Sequence, residues 1–212
     1  MADTAQLVQG TDEWKQARCG MITASRLGDL TARTKSGPSA SRKNYIAELV
    51  VERLTDEPTE LGFITREMQR GKDLEPEARS EYELRYDVSV DQIGFIHHEM
   101  VDCLGASPDG LVGDEGTVEI KCPNTAQHIH TIRSGTVEDR YWKQIQGVLA
   151  CTEREWCDFV SYDPRVRLPG LVLYPIRVER DDQWISEMLF EVKKADAEIE
   201  EIIAGLKAKA IA

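Results

Sequence analysis

One stretch near the middle of the chain combines a turn, several glycines and an acid–lysine pair. The turn is Ser107-Pro108-Asp109-Gly110, and Glu119-Ile120-Lys121 begins ten residues after Asp109. Glycines at positions 110, 113 and 116 predict a hairpin that returns the first acid to the side of the second. Because strand side chains alternate between faces, the acid and the lysine of the second segment point the same way. The stretch therefore predicts a β-hairpin that carries two carboxylates and an ammonium.

Two carboxylates and an ammonium at one place suit metal-assisted phosphodiester chemistry. A hard divalent cation prefers carboxylate, carbonyl and water oxygens. Such a cation can activate a water and neutralise a leaving oxygen. Lys121 is then either the base or the group that orients the water, and both roles remain open. The simpler alternative is a turn acid and a strand acid that pairs with Lys121.

Hydrophobic periodicity predicts the remaining elements. A helical spacing is expected in the following segments: a short helix from Thr11 or Asp12 through Arg18, another from Thr23, then 41–54, 66–86, 127–133, 139–151 and 181–209. Strands are expected at 88–96, 101–106, 117–121, 155–162 and 171–178. The order predicts one α/β domain over residues 1–212, with a three-strand meander in a central mixed β-sheet flanked by helices.

Composition narrows the class of protein. The net charge of −12 argues against nonspecific DNA binding by the whole surface. A local basic stretch stands out against it and is a candidate DNA contact: Arg26, Arg33, Lys35, Arg42 and Lys43. No apolar run is long enough to span a membrane, and five cysteines without a CxxC pair predict reduced thiols in the cytoplasm.

Five ordered segments resemble the phage lambda exonuclease (YqaJ-type viral recombinase) family of the PD-(D/E)xK nuclease superfamily. The first is the hairpin stretch itself. The others are residues 14–18 with 22–25 (WKQAR and ITAS), 70–75 (RGKDLE), 141–146 (YWKQIQ) and 162–165 (YDPR). Their order and number make the resemblance specific over residues 11–190. It implies a restriction-endonuclease-like core.

The resemblance also implies roles for individual residues. Asp109, Glu119 and the backbone carbonyl of Ile120 would bind a metal, and Glu75 would serve a second metal or its water. Lys121 would act on the attacking water. A terminal 5′-phosphate would be held by Arg18, Ser25, Ser107 and Gln144. Independently of the resemblance, Trp14 and Trp142 are predicted to be core residues rather than to stack on bases.

The implied function is a Mg²⁺-dependent 5′→3′ double-strand DNA exonuclease with two ions, Mn²⁺ being able to substitute. It would release mononucleotides and leave 3′ overhangs for recombination by strand annealing. The family further implies a homotrimer and a single-strand annealing protein as partner, in the cytoplasm of a bacterial host and of phage or prophage origin. Two alternatives remain open: a structure- or site-specific DNA endonuclease with the same acids, or a non-catalytic module that binds DNA ends.

Overall fold

The computed structural model describes residues 4–35, 37–59 and 65–211 of the 212-residue chain. Its α-helices are α1 (Asp12–Arg18), α2 (Leu27–Leu30), α3 (Ala40–Thr55), α4 (Arg66–Tyr86), α5 (Thr125–Ser134), α6 (Asp139–Thr152) and α7 (Asp182–Ile211). Short 3₁₀ turns cover Thr4–Gln6, Ala24–Arg26 and Pro169–Leu171. The predicted helices are all present. Of the predicted basic stretch, only position 36 lies outside the described residues.

Side-chain caps explain where four helices begin. Thr11, Ser39, Thr65 and Asn124 each accept a hydrogen bond from the backbone N–H three residues later. This contact satisfies one of the amide groups that a helix start leaves without a partner. Helix α4 runs through Pro76 without ending there.

The strands are β1 (Ile22–Thr23), β2 (Arg33–Thr34), β3 (Gly37–Pro38), β4 (Val90–Asp91), β5 (Ile96–His98), β6 (Val101–Ala106), β7 (Gly110–Val112), β8 (Gly116–Lys121), β9 (Trp156–Tyr162) and β10 (Leu173–Glu179). A five-stranded sheet has the order β10-β9-β8-β7-β4, so that the hairpin strand β8 is central. Strands β8 and β9 are parallel and the other pairs are antiparallel. This is the mixed central sheet that the sequence predicts.

The predicted three-strand meander is wrong, because its first strand is divided between two sheets. Val90–Asp91 pairs with β7, whereas Ile96–His98 pairs with β6 in a separate sheet of order β1-β6-β5. Between them, the N–H groups of Gly94 and Phe95 donate to the carbonyls of Ala5 and Thr4, at 2.8 and 3.0 Å. This contact with the first 3₁₀ turn interrupts the strand.

Helices cover both faces of the five-stranded sheet. Helix α4 packs Ala78 and Tyr82 against one face, and α6 packs Ile145 and Leu149 against the other. Helices α2, α3, α6 and α7 enclose a second core over the three-stranded sheet. Helix α7 buries apolar residues at helical spacing through Ile199 and Ile203, while Ile202 is exposed. No helix in the described ranges is long and apolar enough to cross a membrane.

Candidate active site

A three-residue corner, Ser107–Asp109, joins β6 of the three-stranded sheet to β7 of the five-stranded sheet. Gln9 donates to the carbonyl of the buried Pro108 at 2.8 Å and to that of Ile93 at 2.9 Å. The corner is therefore held by a side chain from the N-terminal segment. It places Ser107 and Asp109 at the junction of the two sheets.

The hairpin brings Asp109 beside β8 as the sequence predicts. In the antiparallel register, Gly110 faces Val118 and Val112 faces Gly116. The backbone N–H of Ile120 donates to Oδ2 of Asp109 at 2.7 Å. Gly113 in the turn has φ +54°, a conformation that glycine adopts without strain.

Glu119 lies on the face of β8 that meets helix α6, because the parallel register pairs it with Phe159 in the α6 core. Its side chain is almost fully buried, with 1% exposure. One carboxylate oxygen, Oε1, accepts from the ammonium of Lys121 and from Nε2 of Gln144, the latter at 2.6 Å. The other oxygen, Oε2, is buried and has no hydrogen-bond partner among the described residues.

The surroundings of Glu119 and Lys121 raise the pKa of both groups, for different reasons. Burial raises the pKa of Glu119 above its ordinary value, and the neighbouring Asp109 adds to that shift. Burial alone would lower the pKa of Lys121, but the carboxylates of Glu119 and Asp109 outweigh it and raise that pKa. The ammonium also lies 5.4 Å from the centre of the Tyr141 ring. The same carboxylates therefore favour the ammonium form of Lys121.

Glu75 approaches the same site from helix α4. Its carboxylate accepts from Arg79, one turn later in the helix, at 2.6 Å. Burial and the charge of Asp109 raise the pKa of Glu75, while Arg79 and Lys121 oppose the shift. The third predicted acid is therefore within electrostatic reach of the other two.

The donor set fits a hard divalent cation. Within the described residues, no three histidine, cysteine, aspartate or glutamate side chains converge into a ready-made cluster. Asp109 and Glu119 instead supply carboxylate oxygens, and Mg²⁺ accepts such oxygens together with those of backbone carbonyls and water. The buried Oε2 of Glu119 supports this fit, since a buried carboxylate oxygen without a partner is costly unless something else pairs with it.

Arg18 and Ser107 are brought together beside this site. Nη1 of Arg18 donates to the Ser107 hydroxyl at 3.0 Å, and Nε1 of Trp14 donates to the same oxygen at 3.0 Å. The guanidinium of Arg18 lies over the Trp14 ring, 4.2 Å from its centre. Arg18 makes no ion pair with any described residue, so its charge is available to an anion.

Ser25 and Gln144 lie on two elements in direct contact. Ser25 is exposed on the Ala24–Arg26 turn. That turn packs on α6 at Gly147, where an added Cβ would lie 3.0 Å from the Cβ of Ala24. Gln144 is one helical turn before Gly147 and donates to Glu119. The structure thus joins a predicted phosphate contact to a predicted metal ligand.

Much of the predicted basic stretch is engaged within the protein. Arg26 pairs with Glu48 at 2.9 Å, Arg33 with Glu191 at 2.9 Å, and the buried Arg42 with Glu198 at 2.8 Å. Lys35 and Lys43 are exposed and make no ion pair within the described ranges. These two are the lysines of the stretch that remain accessible to a ligand.

Trp14 and Tyr141 contribute more than the sequence indicates. Trp14 is half-buried and bonds Ser107, and Tyr141 faces the Lys121 ammonium. Both lie inside segments that resemble the family, 14–18 and 141–146, and that resemblance is the sequence signal that could have identified them. Trp142 packs edge-on against Trp184, in keeping with a core role.

With this geometry in place, comparison with known proteins assigns the family. Residues 13–155 match the YqaJ-like viral recombinase domain, about two thirds of the chain. The chain belongs to the YqaJ-like viral recombinase family. No curated protein sequence matches the chain as a relative.

Solved structures agree with this YqaJ-like assignment. An alkaline exonuclease from Laribacter hongkongensis, LHK-Exo, is 48% identical, with a TM-score of 0.87 over 95% of this chain and 98% of the other. The same enzyme in complex with dAMP gives a TM-score of 0.88 at the same identity and coverage. A phage-related exonuclease from Haemophilus somnus 129PT, 14% identical, matches with a TM-score of 0.67 over 88% of this chain and 96% of that one, and supports the fold. The protein is thus a YqaJ-like enzyme of the nuclease class with a restriction-endonuclease-like fold.

Proposed function

We propose that this protein is a Mg²⁺-dependent exonuclease that degrades one strand of double-stranded DNA from its 5′ end. It releases mononucleotides and leaves 3′ single-strand overhangs for recombination by strand annealing. The observation that carries the proposal is the buried Oε2 of Glu119, which has no described partner. It lies near the carboxyl end of β8, where Asp109 and Lys121 also lie. The dAMP complex of a 48% identical relative is consistent with a mononucleotide product.

Asp109, Glu119 and the carbonyl of Ile120 would hold Mg²⁺, and Glu75 would serve a second ion or its water. When bound, the metal supplies Lewis-acid activation of water and neutralises the leaving 3′-oxygen, and Mn²⁺ is expected to substitute. Lys121 orients or deprotonates the attacking water from its position against Glu119. These roles place bond cleavage at the carboxyl end of β8.

Arg18, Ser107, Ser25 and Gln144 hold the terminal 5′-phosphate in this proposal. A guanidinium can bind phosphate with two parallel hydrogen bonds, and the hydroxyl and amide groups add neutral donors. Ser107 is two residues from Asp109, so the terminal phosphate and the cleaved bond are held by the same corner. Lys35 and Lys43 are candidates for additional contacts with DNA.

The proposal extends to assembly and place of action. Residues 1–212 act as one exonuclease domain, three copies form a ring around DNA, and a single-strand annealing protein receives the product in the bacterial cytoplasm. A ring would reconcile the net charge of −12 with DNA binding, because acidic groups can face outward. Light scattering of the purified protein should give three times the mass of 23.9 kDa; a monomeric mass would exclude the ring.

The activity is tested by incubating linear and covalently closed circular duplexes with Mg²⁺ or with EDTA. The linear duplex should be degraded with Mg²⁺ and remain intact with EDTA. The circle should remain closed under both conditions, since it offers no end. Cutting of the circle would show an endonuclease instead, and end binding without any nucleotide release would show a non-catalytic module.

A further inference from the structure

A groove lies beside the candidate active site. It has a volume of about 540 Å³ and is formed by the first turns of helix α4 together with the loop after β9. Its lining residues are Arg66, Gln69, Arg70, Asp73, Leu74, Pro164 and Arg165. None of them belongs to the metal site or to the 5′-phosphate contacts described above.

Two connections place the groove next to the cleavage site. Leu74 in its wall directly precedes Glu75. Nη1 of Arg70 donates to the carbonyls of Cys122 and Pro123, at 3.1 and 2.8 Å, and these residues directly follow Lys121. The groove therefore begins where strand β8 ends.

The groove combines guanidinium groups with an apolar floor. Arg66 is exposed and makes no ion pair within the described ranges. Arg165 is anchored through Nε and Nη2 to the fully buried Asp163, which leaves its Nη1 without a described partner. Leu74 and Pro164 supply apolar surface, and the one lining carboxylate, Asp73, accepts from Gln69 at 2.8 Å. Guanidinium groups around an apolar floor suit phosphates joined by sugars, even on a chain with a net charge of −12.

The position of the groove in the sheet suggests which part of a nucleic acid it binds. Strands β7, β8 and β9 are adjacent, with Asp109 just before β7, Lys121 ending β8 and Asp163 just after β9. Neighbouring strands lie about 4.8 Å apart, so β7 and β9 are separated by roughly 10 Å. The Arg18–Ser107 contact lies on the β7 side and the groove on the β9 side. Glu119 faces α6, whereas the groove lies on the α4 side, so a strand leaving Glu119 would reach the groove by passing the carboxyl ends of β8 and β9.

We propose that this groove binds the sugar–phosphate backbone of the nucleotides that follow the scissile phosphate on the strand being degraded. The inference rests on the proposed function, since it takes the site at Glu119 as the place of cleavage. Arg66 and Arg165 contact phosphates, and Leu74 and Pro164 contact sugars. The groove thereby adds affinity for substrates that are long enough to reach it.

The test compares 5′-phosphorylated single-stranded oligonucleotides of two and ten nucleotides, with affinities measured by fluorescence anisotropy in EDTA. Arg66→Ala should weaken binding of the ten-nucleotide strand about tenfold, as expected for loss of a charge-assisted hydrogen bond. It should lower the slope of log affinity against log salt by about 0.7. Binding of the dinucleotide should be unchanged, and so should the melting temperature, because Arg66 is exposed.

Lys72→Ala is the matched control, because it removes the same charge from an exposed position of α4 outside the groove. It should leave both affinities at the wild-type level. Three results would refute binding by the groove. Arg66→Ala could weaken both oligonucleotides equally, it could weaken neither, or Lys72→Ala could cause the same loss. If the wild type releases nucleotides in Mg²⁺ while Arg66→Ala binds normally, only the groove is refuted. A wild type without nucleotide release refutes the proposed function itself.

Discussion

At the scale of single residues, the environment of Glu119 is the most informative in the molecule. Its carboxylate is buried in the α6 face of the sheet, where an isolated charge would be costly. Lys121 and Gln144 satisfy one oxygen, and no described residue satisfies the other. A carboxylate that served stability alone would be expected to have both oxygens paired.

Glu119→Gln should abolish cleavage, with nucleotide release falling by more than about 100-fold. The amide keeps the shape of the side chain but removes the negative charge that a divalent cation requires. Calorimetric titration with Mn²⁺ should show weakened metal binding, while circular dichroism and binding of duplex DNA in EDTA remain close to wild type. Near-normal turnover would remove Glu119 from the active site.

Arg18→Ala should selectively reduce the preference for 5′-phosphorylated over 5′-hydroxyl ends. Loss of a hydrogen bond from a charged group costs about 1.5–3 kcal/mol, which corresponds to roughly a 10- to 150-fold change in that ratio. The measurement is kcat/KM on two duplexes that differ only in the terminal phosphate. Lys15→Ala, an exposed cation on the same helix, is the control and should leave the ratio unchanged. An unchanged ratio in Arg18→Ala would refute the phosphate contact.

At the scale of elements, local signals predicted the site better than they predicted the sheets. The glycines and the alternation of β8 were sufficient to bring Asp109 next to Glu119, because a hairpin is a local structure. The division of residues 88–96 between two sheets depends instead on Gly94 contacting the 3₁₀ turn some 90 residues earlier. No local pattern contains that contact.

Asp163 joins three elements just after β9. It is fully buried and accepts hydrogen bonds from Arg70, Arg165 and Thr125, at 3.1, 2.8 and 2.6 Å. Asp163→Asn should therefore lower the free energy of unfolding at pH 7 by about 2 kcal/mol. Denaturant titration provides the measurement. Asp182→Asn, which breaks an exposed pair with Arg180, should change stability by less than about 1 kcal/mol.

Asp163 should also make stability depend on pH. Burial alone would raise its pKa, but the hydrogen bonds from Arg165 and Thr125 outweigh burial and hold that pKa well below its ordinary value. A lowered pKa in the folded state contributes stability above about pH 4, and this contribution is lost as the pH falls toward the folded-state pKa. The wild type should consequently lose more stability than Asp163→Asn between pH 5 and pH 3. Equal losses would assign the acid sensitivity to other groups.

Close packing between α6 and the Ala24–Arg26 turn depends on Gly147. An added Cβ there would overlap the buried side chain of Leu27 and press on Ala24. Gly147→Ala should lower the free energy of unfolding by about 1–3 kcal/mol. Gly205→Ala is the matched control, because that helical glycine has open space around it and the change should be stabilising by up to about 1 kcal/mol. Equal melting temperatures for the two variants would contradict this packing.

At the scale of the whole molecule, the positive charges of the predicted basic stretch lie beside acids that are distant in the sequence. Three arginines of the predicted basic stretch are paired with acids of α3 and α7, and the sequence could not show those partners. The arginine-lined groove combines α4 with a loop about 90 residues later, so the sequence could not predict it either. The family, and the placement of Asp109 beside β8, were predictable because the motifs are short and occur in a fixed order. Long-range ion pairs have no such signature.

Degradation of one strand from its 5′ end at the Glu119 site is best measured on a linear duplex labelled at either the 5′ or the 3′ end of the same strand, in Mg²⁺. The 5′ label should be released first, as a mononucleotide, while the 3′ label stays on a long strand until digestion is nearly complete. Earlier release of the 3′ label, or internal fragments from both substrates, would contradict it.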